Sequence, residues 1–205
     1  MARDEERATR ALEAPIVGSL PDAPGILVAM QLSPGLATHL RGLADELLVH
    51  DFPGATLTRG ERELLATAVS AANDCFYCMD SHGAFAEELL SRATFESADR
   101  LIDSLKTGGA SGLDAKLTAL VHIARTVQRR SRDLTPGDIQ RATSAGASDG
   151  DVQLAILIAA AFSMYNRMVD GLRAKTPPSE EAFRDRARQI ADHGYSSPQV
   201  KAVPR

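Results

Sequence analysis

The chain has 205 residues, 44% of them hydrophobic and 24% charged, and a formal net charge of −4. This length suits one ordinary domain with a sizeable buried core, and the interspersed charges exclude the basic surface that nucleic acid or anionic lipid would bind. The first twenty residues contain no apolar signal segment, and the longest apolar run, Leu154 to Phe162, is too short to cross a bilayer. We therefore expect a cytoplasmic protein without nucleic-acid or membrane partners.

Helical signals begin after an N-terminal stretch that prolines interrupt. Residues up to about Leu32 include three prolines, and we expect them to be irregular. A helix is predicted from about Pro34 to His50. Thr58 begins the next helix, because Glu61 three residues later completes a capping box. That helix is predicted to end near Asn73, just before both cysteines of the chain.

The rest of the chain also has helical spacing, and no strand-length run alternates apolar with polar residues. We predict helices from the cysteines to about Leu90 and over Ser97–Leu105, Leu113–Arg130, Thr135–Ala145, Ser148–Leu172 and Ser179–His193. The fold class is therefore all-α, with an irregular N-terminal segment (1–33), a helical domain (34–175) and a C-terminal helical arm with a tail (176–205). The charged C-terminal helix is a candidate arm on a neighbouring subunit.

The stretch N-D-C-F-Y-C-M-D-S-H-G at 73–83 contains both cysteines. At about 100° per residue, Cys75, Cys78 and His82 fall within one stripe of the helix, and this stripe continues through apolar residues. The two thiols and the imidazole are therefore predicted to face the interior, or a pocket that opens through it.

These three side chains have the properties of a redox-active thiol pair. Cys75 lies near the helix N-terminus, where the helix dipole favours a thiolate. Cysteines three positions apart on a helix have Cα atoms roughly 5 Å apart, which a disulfide tolerates. His82 follows Cys78 by one turn and can accept its proton or pair with its thiolate.

Several other interpretations of this stretch stay open. Single cysteines are often small buried apolar residues, and single histidines are often hydrogen-bonded core residues. Cys75, Cys78 and His82 with one carboxylate also match the ligand types of a zinc site. A permanent disulfide is disfavoured in a reducing compartment, and no third cysteine exists for a second zinc knuckle.

Glu63 lies twelve positions before Cys75, on the preceding predicted helix. Glu63, Ala66, Thr67 and Ser70 form a stripe of small and polar side chains on it. Such a stripe suits a close helix approach with a wet pocket between the helices. The alternative is a first-turn glutamate that only complements the helix dipole.

The pattern E-x11-C-x2-C-x3-H, from Glu63 to His82, resembles the active-site motif of the alkylhydroperoxidase AhpD-like, or carboxymuconolactone decarboxylase-like, superfamily. The flanking L-T-R-G-E-R-E-L-L-A-T-A-V-S-A-A and the later N-R-M-V-D at 166–170 look most similar to its peroxidase-related branch. The resemblance covers roughly Thr38 to Leu172. It implies an AhpD-like bundle of roughly eight to ten helices that forms a homo-oligomer, a trimer or a hexamer.

The resemblance implies an alkyl hydroperoxide reductase that needs no cofactor and no metal. Cys78 would attack the hydroperoxide, Cys75 would resolve the sulfenic acid to a disulfide, His82 would assist deprotonation, and Glu63 would anchor this relay. A dithiol partner, a lipoyl or thioredoxin-like protein, would reduce the disulfide. AhpD itself has a second histidine between its cysteines, where this chain has Tyr77, so the relay implied here is shorter.

Position arithmetic places Tyr77 away from the cysteine stripe, which favours a role in helix packing. Two other functions stay open for the chain. One is a carboxymuconolactone decarboxylase-like enzyme acting on small molecules, a reaction that needs no thiols. The other is a non-catalytic protein that uses the thiol pair for redox sensing or metal binding.

Overall fold

Nine α-helices make up most of the described chain, residues 17–94, 98–177 and 181–196 of a computed structural model. They are α1 Ile26–Leu32, α2 Pro34–Leu48, α3 Arg59–Ala72, α4 Phe76–Thr94, α5 Asp99–Lys106, α6 Ala115–Arg130, α7 Pro136–Ser144, α8 Asp149–Gly171 and α9 Glu181–His193. A 3₁₀ turn, Ser131–Asp133, joins α6 to α7, and these described residues form no strand. The predicted all-α fold is confirmed. The helix starts predicted at Ser97 and Ser179 lie outside the described residues.

Capping boxes begin three of these helices. Thr58 starts α3 with the capping box expected from Glu61, and Ser148 starts α8 with a box completed by Asp151. Asp151 also accepts the backbone N–H groups of Thr56 and Leu57, at 2.6 and 3.0 Å. This buried carboxylate therefore ties the beginning of α8 to the loop that leads into α3. Thr135 and Asp138 form the third box, at the start of α7.

The central helix α8 packs against α3 and α6. Its side chains at Leu154, Ala155, Ile158 and Ala159 are fully buried. Among the described helices, α8 alone is long and apolar enough to cross a membrane, although half of its apolar window is buried inside the bundle. Burial on that scale is also typical of the core helix of a bundle.

The N-terminal segment contains a helix where irregular structure was expected. In α1, Val28 and Ala29 are buried against the rest of the chain. Gly25 precedes this helix with a φ of 53°, and its N–H donates to the carbonyl of Lys175. The prediction was wrong here because Pro24 and Gly25 end the irregular run and start a helix, a use of proline and glycine that local composition does not distinguish from a loop.

The C-terminal helix α9 packs on α4 of its own chain. Phe183, Ala187 and Ile190 are its buried residues, and the last two form an apolar cluster with Phe85 of α4. The Arg59 guanidinium donates to the last carbonyls of α9, at Ile190 and Ala191, over 2.7 and 2.9 Å. The C-terminal helix therefore packs on its own chain, and its role as an arm on a neighbouring subunit stays a prediction.

Candidate active site

The four side chains predicted from the motif lie on, or directly next to, α3 and α4 and form two pairs, Glu63 with His82 and Cys75 with Cys78. Cys75 directly precedes α4, Cys78 and His82 lie on α4, and Glu63 lies on α3. Their relative exposures are 0% for Cys75, 3% for Cys78, 9% for His82 and 0% for Glu63. The predicted stripe of α4 does face inward, toward the polar residues of α3.

A tight turn between the two helices sets the position of Cys75. Asp74 has a left-handed φ of 55°, and the Cys75 N–H returns to the carbonyl of Ser70 at 3.0 Å. The carbonyl of Cys75 accepts the N–H of Met79, which makes Cys75 the first residue to accept a helical bond of α4. The cysteines therefore lie on consecutive turns of one rigid element.

Both thiols are free, and they interact with each other. The hydrogen bond with Cys78 raises the pKa of Cys75 far above its usual range, and burial raises it further. Both effects oppose the helix dipole, which was expected to favour a thiolate at Cys75.

Glu63 and His82 form a buried pair. Oε2 of Glu63 lies 2.6 Å from Nδ1 of His82. A carboxylate only accepts hydrogen bonds, so Nδ1 carries the proton and Nε2 is left as the ring's acceptor. Glu61, two positions earlier, occupies the first turn of α3 and caps it. Glu63 is therefore the partner of the motif histidine, and the dipole interpretation does not apply to it.

Tyr195, which sequence reasoning missed, completes this group. Its hydroxyl donates to Oε1 of Glu63 at 2.6 Å and lies 3.4 Å from Nδ1 of His82. Burial, reinforced by the adjacent Glu63 charge, raises the pKa of this phenol well above its ordinary value. The only sequence signal was an aromatic residue directly after the helix-ending glycine, in a segment otherwise read as a loose tail.

The turn after α9 holds Tyr195 in place. Gly194 has a φ of 73°, and its N–H closes the helix on the carbonyl of Ile190 at 2.9 Å. The backbone N–H groups of Tyr195 and Ser196 then donate to the two oxygens of Asp45, at 2.6 and 2.9 Å. Asp45 is a buried residue of α2, so this carboxylate anchors the C-terminal segment to the bundle.

A cavity of about 230 Å³ opens beside this group. Cys78, Ser81, His82 and Tyr195 line it, whereas Cys75 and Glu63 do not. The remaining wall is largely apolar and comes from α1, α2, α8 and α9, with Ile26, Leu27, Met30, Leu40, Phe162 and Phe183 among its residues. The thiol of Cys78 can therefore contact a small molecule in the cavity, whereas the thiol of Cys75 cannot.

Tyr77 lies on the wall of the same cavity. Its ring meets Phe183 of α9 edge to face, with centroids 5.5 Å apart. Tyr77 therefore packs between helices, as its angle on α4 predicted, and it also lies on the cavity wall, which was not expected. Burial raises the pKa of Tyr77, so the phenol stays protonated near neutral pH.

The zinc arrangement considered from the sequence is not formed in the described part of the chain. No group of three or more His, Cys, Asp or Glu side chains there is placed to hold a metal ion. The Nδ1 atom of His82 is already hydrogen-bonded to Glu63.

The chain is similar in sequence and in fold to known proteins. Residues 34–90 match the model of the carboxymuconolactone decarboxylase family. The fold is similar to the crystal structure of the alkylhydroperoxidase AhpD core of an uncharacterized peroxidase-related protein from Ralstonia eutropha JMP134. That match has 24% identity and a TM-score of 0.67 over 81% of this chain and 82% of that one.

A peroxidase-related protein from Silicibacter sp. TM1040 gives the same TM-score, 0.67, at 22% identity over 85% of this chain and 93% of that one. A search of curated proteins found no match. The resemblance inferred from the motif is confirmed, and the fold is AhpD-like.

Proposed function

We propose that the protein is a thiol-dependent reductase of organic hydroperoxides. The observation that carries this proposal is the unequal placement of the two thiols. Cys78 lines the cavity, whereas Cys75 is fully buried, lies outside the cavity lining and is hydrogen-bonded to Cys78. An attacking sulfur has to meet the substrate, and a resolving sulfur has only to meet the attacking one.

The proton relay starts at His82. Glu63 holds the Nδ1–H, so Nε2 remains as the ring atom that would accept the proton of the Cys78 thiol. Tyr195 occupies the other oxygen of Glu63 and restricts the carboxylate to one orientation. Glu63 and Tyr195 are positioning residues in this proposal, because they act on the reacting sulfur through His82.

The first chemical step oxidises Cys78. Its thiolate attacks the terminal oxygen of ROOH, the S–O bond forms, and the O–O bond breaks. The alkoxide recovers the proton held by His82 and leaves as ROH. The peroxide has then gained two electrons, and Cys78 has lost two and become a sulfenic acid.

The second step closes the disulfide. The sulfur of Cys75 attacks that of Cys78, the S–S bond forms, and the hydroxyl group leaves with the Cys75 proton as water. A dithiol then reduces the disulfide by thiol–disulfide exchange, which regenerates both thiols. Overall, ROOH and one dithiol give ROH, water and one oxidised dithiol. We propose a lipoyl or thioredoxin-like protein as the dithiol, and a cytoplasmic homo-oligomer as the working form.

Peroxide consumption by the purified protein tests this function. With cumene hydroperoxide and excess dithiothreitol, wild type should turn over, Cys78→Ser should be inactive, and Cys75→Ser should form one sulfenic acid at Cys78 that dimedone labels. If both variants consume peroxide like wild type, the proposal is wrong. A wild-type protein that reacts with no hydroperoxide, while its thiols stay alkylatable, would also contradict it.

A further inference from the structure

Two arginines line the otherwise apolar cavity. Arg41 belongs to α2 and Arg186 to α9, and both are half-buried. Because both line one cavity although they lie far apart in sequence, the two cationic groups come together only in the folded chain. An apolar cavity with a few convergent polar groups is the usual form of a site for a small organic ligand.

Neither guanidinium is neutralised inside the described part of the chain. Within those residues Arg41 has no hydrogen bond or ion pair, and Arg186 donates only to the neutral Oε1 of Gln189, at 3.3 Å. Other arginines of the bundle differ. Arg59, for example, donates to two carbonyls of α9, and Arg92 pairs with two carboxylates.

The carboxylates nearby already have other partners. Both oxygens of Asp45 accept backbone N–H groups, from Tyr195 and Ser196. Both oxygens of Glu63 accept from His82 and Tyr195. Burial is the main cause that lowers the pKa of Arg186, and the charge of Arg41 also lowers it, whereas Tyr195, Tyr77 and Asp45 raise it. The two cations therefore repel each other across a poorly solvated wall, and an anion between them would relieve that repulsion.

We propose that the cavity takes ligands with an apolar body and a carboxylate, which Arg41 and Arg186 bind. Guanidinium groups suit this role because their planar N–H groups match a carboxylate's two oxygens. The assignment of substrates rests on the proposed function. The preferred substrates would be hydroperoxides of aliphatic carboxylic acids, with the peroxide at Cys78 and the carboxylate at the arginines.

Binding of octanoate and of 1-octanol, which share a chain and differ in charge, tests the site without any turnover. Calorimetry should show that wild type prefers octanoate, and Arg41→Gln and Arg186→Gln should each weaken octanoate binding roughly tenfold or more, as expected for losing a charge-assisted hydrogen bond. Binding of 1-octanol should change little. Arg167→Gln is the matched control, because Arg167 is exposed and donates only to Ser163 of its own helix.

Three outcomes would overturn the proposal. One is equal binding of octanoate and 1-octanol by wild type, or no binding of either. Another is an octanoate preference that survives in both arginine variants. The third is octanoate that fails to slow alkylation of Cys78 by iodoacetamide, since a ligand in this cavity must cover that thiol. The unchanged 1-octanol affinity and thermal midpoint of each variant show that it has folded.

A kinetic experiment separates this inference from the peroxidase proposal. An 8-hydroperoxyoctanoic acid should be reduced with a higher kcat/KM than its methyl ester, and the ratio should fall in Arg41→Gln and Arg186→Gln. If acid and ester react equally well, the peroxidase proposal stands and the carboxylate site fails. If neither reacts but octanoate still binds through the arginines, the carboxylate site stands and the peroxidase proposal fails.

Discussion

The hydroxyl of Tyr195 donates a 2.6 Å hydrogen bond to Oε1 of Glu63, across 132 positions of the chain. Oε2 of the same carboxylate accepts from His82 at 2.6 Å. Each oxygen of this fully buried side chain therefore has its own donor, one from α4 and one from the turn that follows α9. The motif supplies two members of this group, and the C-terminal segment supplies the third.

Replacing Tyr195 by Phe should weaken both stability and activity. It removes one donor from a buried carboxylate, which costs about 1–3 kcal/mol in the free energy of unfolding. Glu63 also becomes freer to rotate, so the rate of Cys78 sulfenic acid formation should fall while the KM for cumene hydroperoxide changes little. Denaturant unfolding and single-turnover kinetics measure the two effects.

Tyr165→Phe is the reference for stability in that experiment. Its hydroxyl donates to the backbone carbonyl of Leu40 at 2.8 Å, a neutral acceptor. A neutral bond contributes about 0.5–1.5 kcal/mol, so this variant should lose less stability than Tyr195→Phe. If the Tyr195 variant matches wild type in both stability and rate of sulfenic acid formation, the hydroxyl has no positioning role.

Local signals made much of the site predictable. Helical spacing placed Cys78 and His82 on one inward face, and the small polar stripe of α3 placed Glu63 toward them. These inferences hold because each depends on residues within one helix or in two helices joined by a tight turn. Tyr195 could not be found in this way, since its position depends on Asp45 and Gly194, which are distant from each other in sequence.

Tyr77 illustrates the other limit of sequence reasoning. Its angle on α4 places it away from the cysteine stripe, but the direction of a side chain does not reveal which residues cover it. Gly25, at the start of α1, lies so near that a Cβ there would be 2.1 Å from the Tyr77 ring. Part of the cavity wall therefore comes from α1 and α9. Their prolines and charges predicted an irregular segment and a separate arm, and only the tertiary packing shows that they cover the site.

Glu63→Gln should remove most of the general-base assistance. The amide offers one acceptor and one NH₂ donor, so it cannot accept from both His82 and Tyr195. We expect a loss of roughly 10²-fold or more in the rate of sulfenic acid formation, in the range reported for positioned acid–base groups. Stopped-flow kinetics with cumene hydroperoxide measure it.

Glu61→Gln is the matched control for that variant. Glu61 lies two residues away on the same helix and bonds only the N-cap Thr58. Glutamine can still accept the Thr58 N–H, so this variant should keep wild-type rates and lose little stability. Equal losses in the two variants would mean that Glu63 contributes to folding and not to the chemistry.

Alkylation should distinguish the two cysteines. Cys78 lines the cavity, whereas Cys75 is fully buried and its pKa is raised by the hydrogen bond with Cys78 and by burial. Because the thiolate is the reactive form, iodoacetamide at neutral pH should modify Cys78 first. Peptide mass spectrometry of a time course reads this directly, and denatured protein, in which both thiols should react alike, is the control. Faster labelling at Cys75 would reverse the proposed roles.

The three tyrosines of the chain should lose their protons only at a pH above the ordinary range for a phenol. Burial is the first cause that raises the pKa of Tyr77, Tyr165 and Tyr195. In the unfolded chain they ionise at about pH 10. The free energy of unfolding should therefore be insensitive to these groups below that pH and should fall as the pH rises above about 10, because the unfolded state loses its protons first.

Absorbance at alkaline pH checks this, because the chain contains no tryptophan. Folded protein should show little phenolate until it unfolds, and denatured protein should show all three phenols titrating together. The Tyr195→Phe variant should lose less stability between neutral and alkaline pH than wild type. A folded protein with a phenol that titrates near pH 10 would contradict the burial of that side chain.

Gly194→Ala should damage the site through the backbone. Gly194 has a left-handed φ of 73°, and a Cβ there would lie 2.7 Å from Oδ1 of Asp45, the atom that binds the Tyr195 N–H. The backbone strain costs about 1–2 kcal/mol, and relief of the clash must move Asp45 or Tyr195. Gly146→Ala isolates the strain, because Gly146 has a φ of 96° with open space around it. We expect both variants to lose stability. When activity is compared at the same folded fraction of each protein, only Gly194→Ala should be less active than wild type. Equal activity in the two would show that the chemistry does not depend on the turn that holds Tyr195.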